Sequence, residues 1–415
     1  MKLEVSSAQR FTCQQCGMCC RGAWVVVTPA EIDRYRKLDV ARLYTDGGTR
    51  ADAAGIDPFL LVAHGHYRIR QRADGSCGFL SPDNRCRIHE ELGGGAKPLA
   101  CRVFPFRFHP VEGRPFVTTS ASCPTIVKNE GAPLTAQARD IAALRSEWTR
   151  AFPETTGRLL FARGRPIEAE TLAALKDTLR RMLDPAPSGG PVDLACAMER
   201  MAQWLEDLSR YRVARLKPAA FAEYAAITGR HAAENAVAPT PSPPSAVTRL
   251  LSRGFLFTVV AVREEAASPP GVGRHLRRMR HLAHLHGMAP ATETVDRAAL
   301  RKVTLDPSDP DVPRIVHHAV RSAVDGLGTG RRAVIDELAV GIATLFAGIA
   351  LAAMAARRAG RDRIDAGLLT LGITGAAQLA HSDAGALGAV LPSLAGGVDA
   401  LRLLGSWLRP RSAVS

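Results

Sequence analysis

The sequence predicts an α+β protein: a small, irregular, cysteine-rich metal-binding domain followed by a mostly α-helical body. Three observations carry this expectation. Eight of the nine cysteines stand at or before residue 123. Short alternating segments separated by turn residues fill the same stretch. From about residue 132 the apolar residues instead recur at three- and four-residue intervals, the spacing of one helix face. With 415 residues the chain is long enough for more than one buried core. The expected organisation is a cysteine-cluster domain over 1–131, a helical region over 132–237, a proline-rich linker over 238–246 and a C-terminal helical domain over 247–415.

The elements follow in order. Ala23–Val27 reads as a short strand. Thr28, Pro29 and Glu31 then open a helix: Thr28 caps it, Pro29 takes the first helical position and Glu31 completes a capping box. His66–Arg72 alternates polar and apolar residues and reads as a strand. Ala73, Asp74 and Gly75 turn it back towards Cys77–Leu80. Ser81–Asn84 is a second turn that delivers Cys86 to the next segment. Beyond residue 132, Leu172, Leu175, Leu179 and Met182 form one apolar stripe, and Leu194, Met198, Met201, Leu205 and Leu208 form another. Pro185–Pro191 separates the two. Ala238–Ser245 is a stiff, polyproline-like linker. A basic helix over Arg274–His286 and several Ala/Gly/Leu-rich helices follow. No repeat of fixed period is present.

Bulk properties narrow the partners. The formal charge is +14, which on its own admits an anionic partner such as nucleic acid or a membrane surface. Only 5% of residues are aromatic, so the bases of a nucleic acid would find few rings to stack on. The basic residues are widely spread, and the sequence argues against nucleic acid. Met1–Ser7 has no apolar h-region and no cleavage site. The expected location is therefore the reducing cytoplasm, where disulfides are transient and such cysteine spacing points to metal or catalysis. Leu338–Ala356 carries no charge and just reaches the length of a bilayer span. Its Ala and Gly content makes it a weak span and a good close-packing helix, so a buried bundle helix is expected, with peripheral membrane association through 338–356 as the alternative. Gly341 and Gly348 lie two turns apart on one face and should seat a partner helix.

The cysteines carry the chemistry. Cys13, Cys16 and Cys19 have Cys-x2-Cys-x2-Cys spacing, which can supply three corners of a tetrahedral zinc site or three ligands of an iron–sulfur cluster. Gly17 permits the unusual backbone angles such a loop needs. Cys20 is adjacent to Cys19, and adjacent side chains in extended backbone diverge, so it serves either a second centre or a supporting role. Cys77, Cys86, Cys101 and Cys123 complete the candidate metal ligands: Cys13, Cys16, Cys19, Cys20, Cys77, Cys86, Cys101 and Cys123. The metal is zinc or iron, including an iron–sulfur centre; redox chemistry and inert buried thiols are the alternatives. His89 lies within ligand range of Cys86 but reads better as a structural or supporting residue. Arg21, Arg85, Arg87, Arg102 and Arg107 flank the cysteines and could offset thiolate charge, although each alone reads as a solvated side chain. Cys196, on an amphipathic helix, reads as a core thiol.

These blocks, in this order, resemble a known family. Phe11, Cys13, Cys16, Gly17, Cys19 and Cys20, then Cys77-x-Phe79-Leu80, Cys86-x-Ile88-His89-Glu90 and Cys101-Arg102-x-Phe104-Pro105, look like the YkgJ-type cysteine-cluster proteins, described as a zinc- or iron-chelating domain. The resemblance covers roughly residues 10–125 and implies metal chelation. The related flagellin lysine N-methylases share the later blocks and a Ser-Cys-Pro matched by Ser122, Cys123 and Pro124, with a differently spaced first block. That relation implies a protein lysine methylase as the alternative function, with S-adenosylmethionine as cofactor and a protein as substrate; the sequence shows no classical site for the cofactor. A membrane-peripheral scaffold is the third reading.

Other motifs carry less. Gly326–Gly330 resembles a phosphate loop but follows no strand, so a helix-ending turn is expected. Gly93–Gly95 reads as a flexible connection. His281 and His284 share a helix face without an acidic or thiol partner. His317 and His318 should point different ways. There is no nucleophile elbow, P-loop, HExxH or dinucleotide fingerprint.

Overall fold

The computed structural model describes residues 5–6, 8–21, 25–46, 48–50, 55–62, 65–72, 74–109, 115–153, 157–162, 164–184, 192–210, 218–234, 302–329, 332–382 and 398–408. The linker 238–246, the basic segment Arg274–His286 with its histidines, and the Pro185–Pro191 separator lie outside these residues. The class is α+β: among the described residues twelve α-helices accompany strands of two to four residues. The chain divides into two units, residues 1–108 with 115–155, and residues 109–114 with 156–415.

In the first unit, β1 (Arg10–Phe11) precedes β2 (Val26–Val27), the described end of the expected Ala23–Val27 strand. Helix α1 (Pro29–Lys37) starts as its capping box requires: Thr28 Oγ1 accepts from Glu31 N at 3.3 Å, and Thr28 N donates to Glu31 Oε2 at 2.9 Å. The short pair β3 (Thr45–Asp46) and β4 (Thr49–Arg50) follows. Then come β5 (Phe59–Leu61) and β6 (Tyr67–Ile69), the latter the middle of the expected 66–72 strand. These join β2 in an antiparallel sheet of order β2-β6-β5, with Val27 opposite Tyr67 and Phe59 opposite Ile69. Val27, Ile32, Tyr35, Val40, Leu43, Tyr44, Ile69, Phe79 and Ile88 form its core.

Four further helices complete the unit: α2 (Arg87–Leu92), α3 (Leu99–Val103), α4 (Pro124–Lys128) and α5 (Ala138–Ala151). The pair β7 (Phe106–His109) and β8 (Phe116–Thr119) lies between α3 and α4. The unit continues past residue 131. Strand β9 (Ala132–Pro133) pairs with β1, Arg10 opposite Pro133. Ile141 of α5 joins Leu99, Val103, Phe106, Phe108, Val117 and Leu134 in a second core.

The second unit begins with β10 (Leu160–Ala162) paired to β11 (Arg165–Pro166). Its helices are α6 (Ala169–Leu183), α7 (Leu194–Arg210), α8 (Pro218–Glu234), α9 (Asp311–Asp325), α10 (Val334–Arg358), α11 (Ala366–Ser382) and α12 (Asp399–Leu408). The two stripes read from the sequence are buried as expected, except that Leu194 at the start of α7 is only partly covered. Parallel strands β12 (Thr304–Leu305) and β13 (Arg363–Ile364) pair beside them. Helices from before residue 238 and after residue 301 share one core. Arg180 of α6 pairs with Asp325 of α9 at 2.7 Å, and Arg402 of α12 reaches Glu206 of α7 at 2.6 Å.

Helix α10 contains Leu338–Ala356. It is long and apolar enough to cross a membrane, and 67% of its most apolar window is buried by its neighbours. A Cβ on Gly348 would lie 2.6 Å from Ile373 Cα of α11, and one on Gly372 would lie 2.2 Å from Gly348 O. Two backbones meet there because neither carries a side chain. Gly341 differs from expectation. It faces Ala323 of α9, so the two glycines of one helical stripe seat two partner helices rather than one.

Gly326 ends α9, as expected. Glu337 on the first turn of α10 then reaches the residues that follow it. Its carboxylate accepts from Gly328 N and Thr329 N, at 2.5 and 3.0 Å, and from Thr329 Oγ1. The Gly328 and Thr329 donors that could face a phosphate are already taken by this carboxylate.

Candidate metal centre

The first cysteine run is irregular from Thr12 to Cys16 and then makes a single tight turn, Met18–Cys20. Gly17 enters that turn at φ 70°, and a Cβ there would also press within 2.9 Å of Asn84. Both facts require glycine. Cys20 N bonds back to Gly17 O at 2.9 Å. This turn corrects one expectation: the sulfurs of Cys19 and Cys20 lie 3.9 Å apart. A tight helical turn, unlike extended backbone, leaves adjacent side chains near enough for their sulfurs to approach.

The run is pinned to the second block. Cys77 N donates to Cys20 O at 2.8 Å, and Arg21 donates to Asn84 Oδ1 at 2.7 Å. Within the second block, Gly75 N closes the turn onto Arg72 O at 2.9 Å, Cys77 bridges Gln71, and Leu80 bridges Cys86. Cys86 caps α2. Arg72 organises this loop. Its guanidinium donates to Thr45 O at 2.7 Å, Gly78 O at 3.0 Å and Leu80 O at 2.7 Å. Three carbonyls facing one cation fix the path on both sides of Cys77. Cys101 rides on α3, whose first amide, Leu99 N, is held by Glu31 Oε1 at 2.6 Å. The capping residue of α1 therefore also anchors the helix that carries Cys101. Cys123 caps α4 and is buried.

Electrostatics groups the thiols. The hydrogen bond to Cys20, then burial, pushes the Cys19 thiol up, and Lys97 opposes. Burial pushes Cys77 up to about 11, with Cys86 and Cys19 adding to it and Arg72 opposing. Burial also raises Cys101 well above an ordinary thiol, with Cys77, Cys19 and Cys86 adding and Lys97 opposing. Lys97 is itself desolvated, yet Cys101, Cys86, Cys19 and Cys13 together raise it. Cys123 stands apart: burial raises it, and the sulfur that acts on it is Cys16.

Cys19, Cys77, Cys86 and Cys101, from four separate segments, therefore act on one another; Cys19, Cys86 and Cys101 face the ammonium of Lys97, with Cys13 at its edge, and Cys77 faces Arg72. Cys16 and Cys123 form a second neighbourhood. His89 is exposed. Cys196 is partly exposed on α7 rather than in the core, because it sits beside the buried stripe of Ala195, Ala197 and Met198. Of the arginines that flank the cysteines, Arg85 pairs with Asp83 and Glu90, Arg87 with Thr45 and Arg102 with Glu147.

All nine cysteines are free, and the donor set suits a thiophilic cation such as zinc or iron. Among the described residues no three His, Cys, Asp or Glu side chains converge as placed to hold a metal ion. The fit thus lies in donor type and neighbourhood, with side chains not drawn in around one point.

Residues 12–124 match the family CxxCxxCC, described as "Putative zinc- or iron-chelating domain". The cysteine-cluster family read from the sequence is thus the family of this segment, and the match says nothing of methyl transfer. No curated protein and no solved structure matches the chain. The match spans every clustered cysteine, from Cys13 to Cys123.

Sequence reasoning missed three residues that shape the site. Lys97 stands four positions before Cys101, which was its one available signal. Nothing local separates Arg72 from Arg68 and Arg70. Glu31 was legible as a cap but not as the anchor of α3.

Proposed function

We propose that the N-terminal unit chelates zinc or an iron–sulfur centre through cysteine thiolates, with Cys19, Cys77, Cys86 and Cys101 as the kernel. Cys13, Cys16, Cys20 and Cys123 complete this centre or a second one. The observation that carries the reading is the mutual proximity of four sulfurs from four separate segments, three of them facing the partly desolvated ammonium of Lys97 and the fourth, Cys77, facing Arg72. Core packing alone gives no reason to gather thiols around a cation. A set of thiolates does, because a bound divalent ion leaves net negative charge that Lys97 and Arg72 offset.

Anaerobic purification with metal analysis and an absorption spectrum tests it. Zinc gives a colourless protein with stoichiometric metal, and an iron–sulfur centre gives visible charge-transfer bands. Metal below about 0.2 per chain, allowing for losses on purification, sinks the reading. Because burial raises the Cys77 and Cys101 thiols, metal uptake is expected to release protons, and affinity to rise with pH. Serine at Cys19, Cys77, Cys86 or Cys101 is expected to cost most of the metal.

A further inference from the structure

Cys19 and Cys20 are neighbours in sequence and in space. Their sulfurs lie 3.9 Å apart, and both side chains are partly exposed. Adjacent sulfurs need not meet: in extended backbone they point to opposite faces. Here a turn brings them together, and it is held at both ends. Gly17 opens it at φ 70°. Cys20 N donates to Gly17 O at 2.9 Å and Arg21 N to Met18 O at 3.1 Å, which closes it locally. Cys77 N donates to Cys20 O at 2.8 Å, and the Arg21 guanidinium donates to Asn84 Oδ1 at 2.7 Å, which clamps its far end to the second cysteine block. The approach of the two sulfurs is therefore a property of the fold and not of adjacency alone.

A bond between these sulfurs would be strained. Two α-carbons across one trans peptide are about 3.8 Å apart, short of the roughly 4.4–6.8 Å that disulfides favour. A strained, accessible disulfide is readily reduced, which suits exchange rather than structure. We propose that Cys19 and Cys20 form a thiol–disulfide exchange site whose co-reactant is a low-molecular-weight disulfide. One cysteine gives its proton to solvent and attacks the small disulfide. A mixed disulfide forms, and one small thiolate leaves and takes up a proton. The neighbouring cysteine, deprotonated in turn, attacks the cysteine sulfur of the mixed disulfide. The Cys19–Cys20 bond forms, and the second small thiolate leaves and is protonated. The pair is oxidised by two electrons, the small disulfide is reduced by two, and the two thiol protons end on two small thiols. This chemistry needs no bound metal and goes beyond the chelating reading; its closure takes two sulfurs out of the thiolate set.

The test uses the full chain as purified anaerobically, treated with glutathione disulfide, quenched in acid and alkylated. Cleavage after Met18 and after Arg21 releases Cys19–Arg21 as a tripeptide. That separates the pair from Cys13 and Cys16, which are exposed and compete for the reagent. The tripeptide is expected to lose two hydrogen atoms, to escape alkylation, and to regain both thiols in excess reduced glutathione. Of Cys19→Ser and Cys20→Ser, the variant that lacks the resolving thiol should keep one glutathione on its remaining cysteine. In guanidinium, where the turn is lost, the ratio of closed to open pair at the same glutathione ratio should fall about tenfold, about 30 mV for a two-electron couple. A tripeptide that stays doubly alkylated, a disulfide that joins Cys19 or Cys20 to another fragment instead, no trapped glutathione in either variant, or an equal closed ratio in guanidinium each overturns the inference and leaves chelation standing. A chain purified without metal whose pair still closes overturns chelation and leaves this inference standing.

Discussion

The two units hold themselves together by different means. In the first, strands are two to four residues long and helices α2, α3 and α4 five or six. No such element is stable alone. Side chains bonding to distant backbone replace regular structure: Arg72 on three carbonyls, Glu31 on Leu99 N, and Asn129 Oδ1 on Arg10 N at 2.7 Å. The second unit is built from helices of ten to twenty-five residues that meet through apolar stripes and small residues. Its backbone is satisfied within each helix, so its stability rests on packing. The first unit has spent its chain on holding thiols in place, and the difference teaches where a bound metal would matter.

The largest expected effect follows directly. Structural thiolate sites contribute on the order of 10 kcal/mol to folding. A strong chelator under reducing conditions should therefore collapse the near-ultraviolet signal of Tyr35, Tyr44 and Trp148 while the far-ultraviolet helical signal of the second unit persists. If both signals fall together along one transition, the units are not separable in this way.

The converse perturbation acts on packing alone. Gly348→Leu drives a side chain into the backbone of Ile373, and overpacking of this kind costs about 3 kcal/mol or more. Thermal melts should show the helical transition lowered and metal content unchanged. If the variant is as stable as the parent and the chain resists alkaline carbonate extraction from membranes, lipid rather than α11 covers that face of α10.

What was legible in the sequence tracks the same division. Helical stripes such as Leu175, Leu179 and Met182 could be read because a 3.6-residue period is local, and the Thr28–Glu31 cap because it spans four residues. The end of α9 near Gly326 was readable for the same reason. The cysteine cluster was legible as chemistry but not as geometry. Which sulfurs neighbour which depends on contacts between separate segments of the chain, as between Cys19 and Cys77 or Cys16 and Cys123, and adjacency in sequence misled for Cys19 and Cys20. Lys97 and Arg72 carry no local signature, since a lysine or an arginine in a loop has many ordinary explanations.

A smaller effect separates charge from shape at the cluster. Arg72→Lys keeps a positive charge near Cys77 but loses the planar fork that reaches Thr45, Gly78 and Leu80 together. Leaving such carbonyls without a donor costs about 2 kcal/mol. The first unit should melt earlier, and metal content should fall although the net charge is the same. Full metal retention in Arg72→Lys would mean that charge alone is what Arg72 supplies.

The smallest expected effect marks the boundary of the comparison. Cys196 belongs to the second unit, in the first turn of α7, where its amide donates to Asp193 Oδ1 at 3.0 Å. Its thiol is partly exposed, so truncating it to alanine leaves little cavity. The alanine also gains helix propensity of a few tenths of a kcal/mol. The two terms oppose each other, and Cys196→Ala should change stability by less than about 1 kcal/mol. Metal content should not change at all, because the eight thiols of the first unit are untouched. A count of reactive thiols should fall by one in the metal-loaded protein, since Cys196 is available to reagent while the cluster is protected. If metal is lost instead, the ninth cysteine is a ligand, and the division between a thiol-bearing unit and a packed helical unit is drawn in the wrong place.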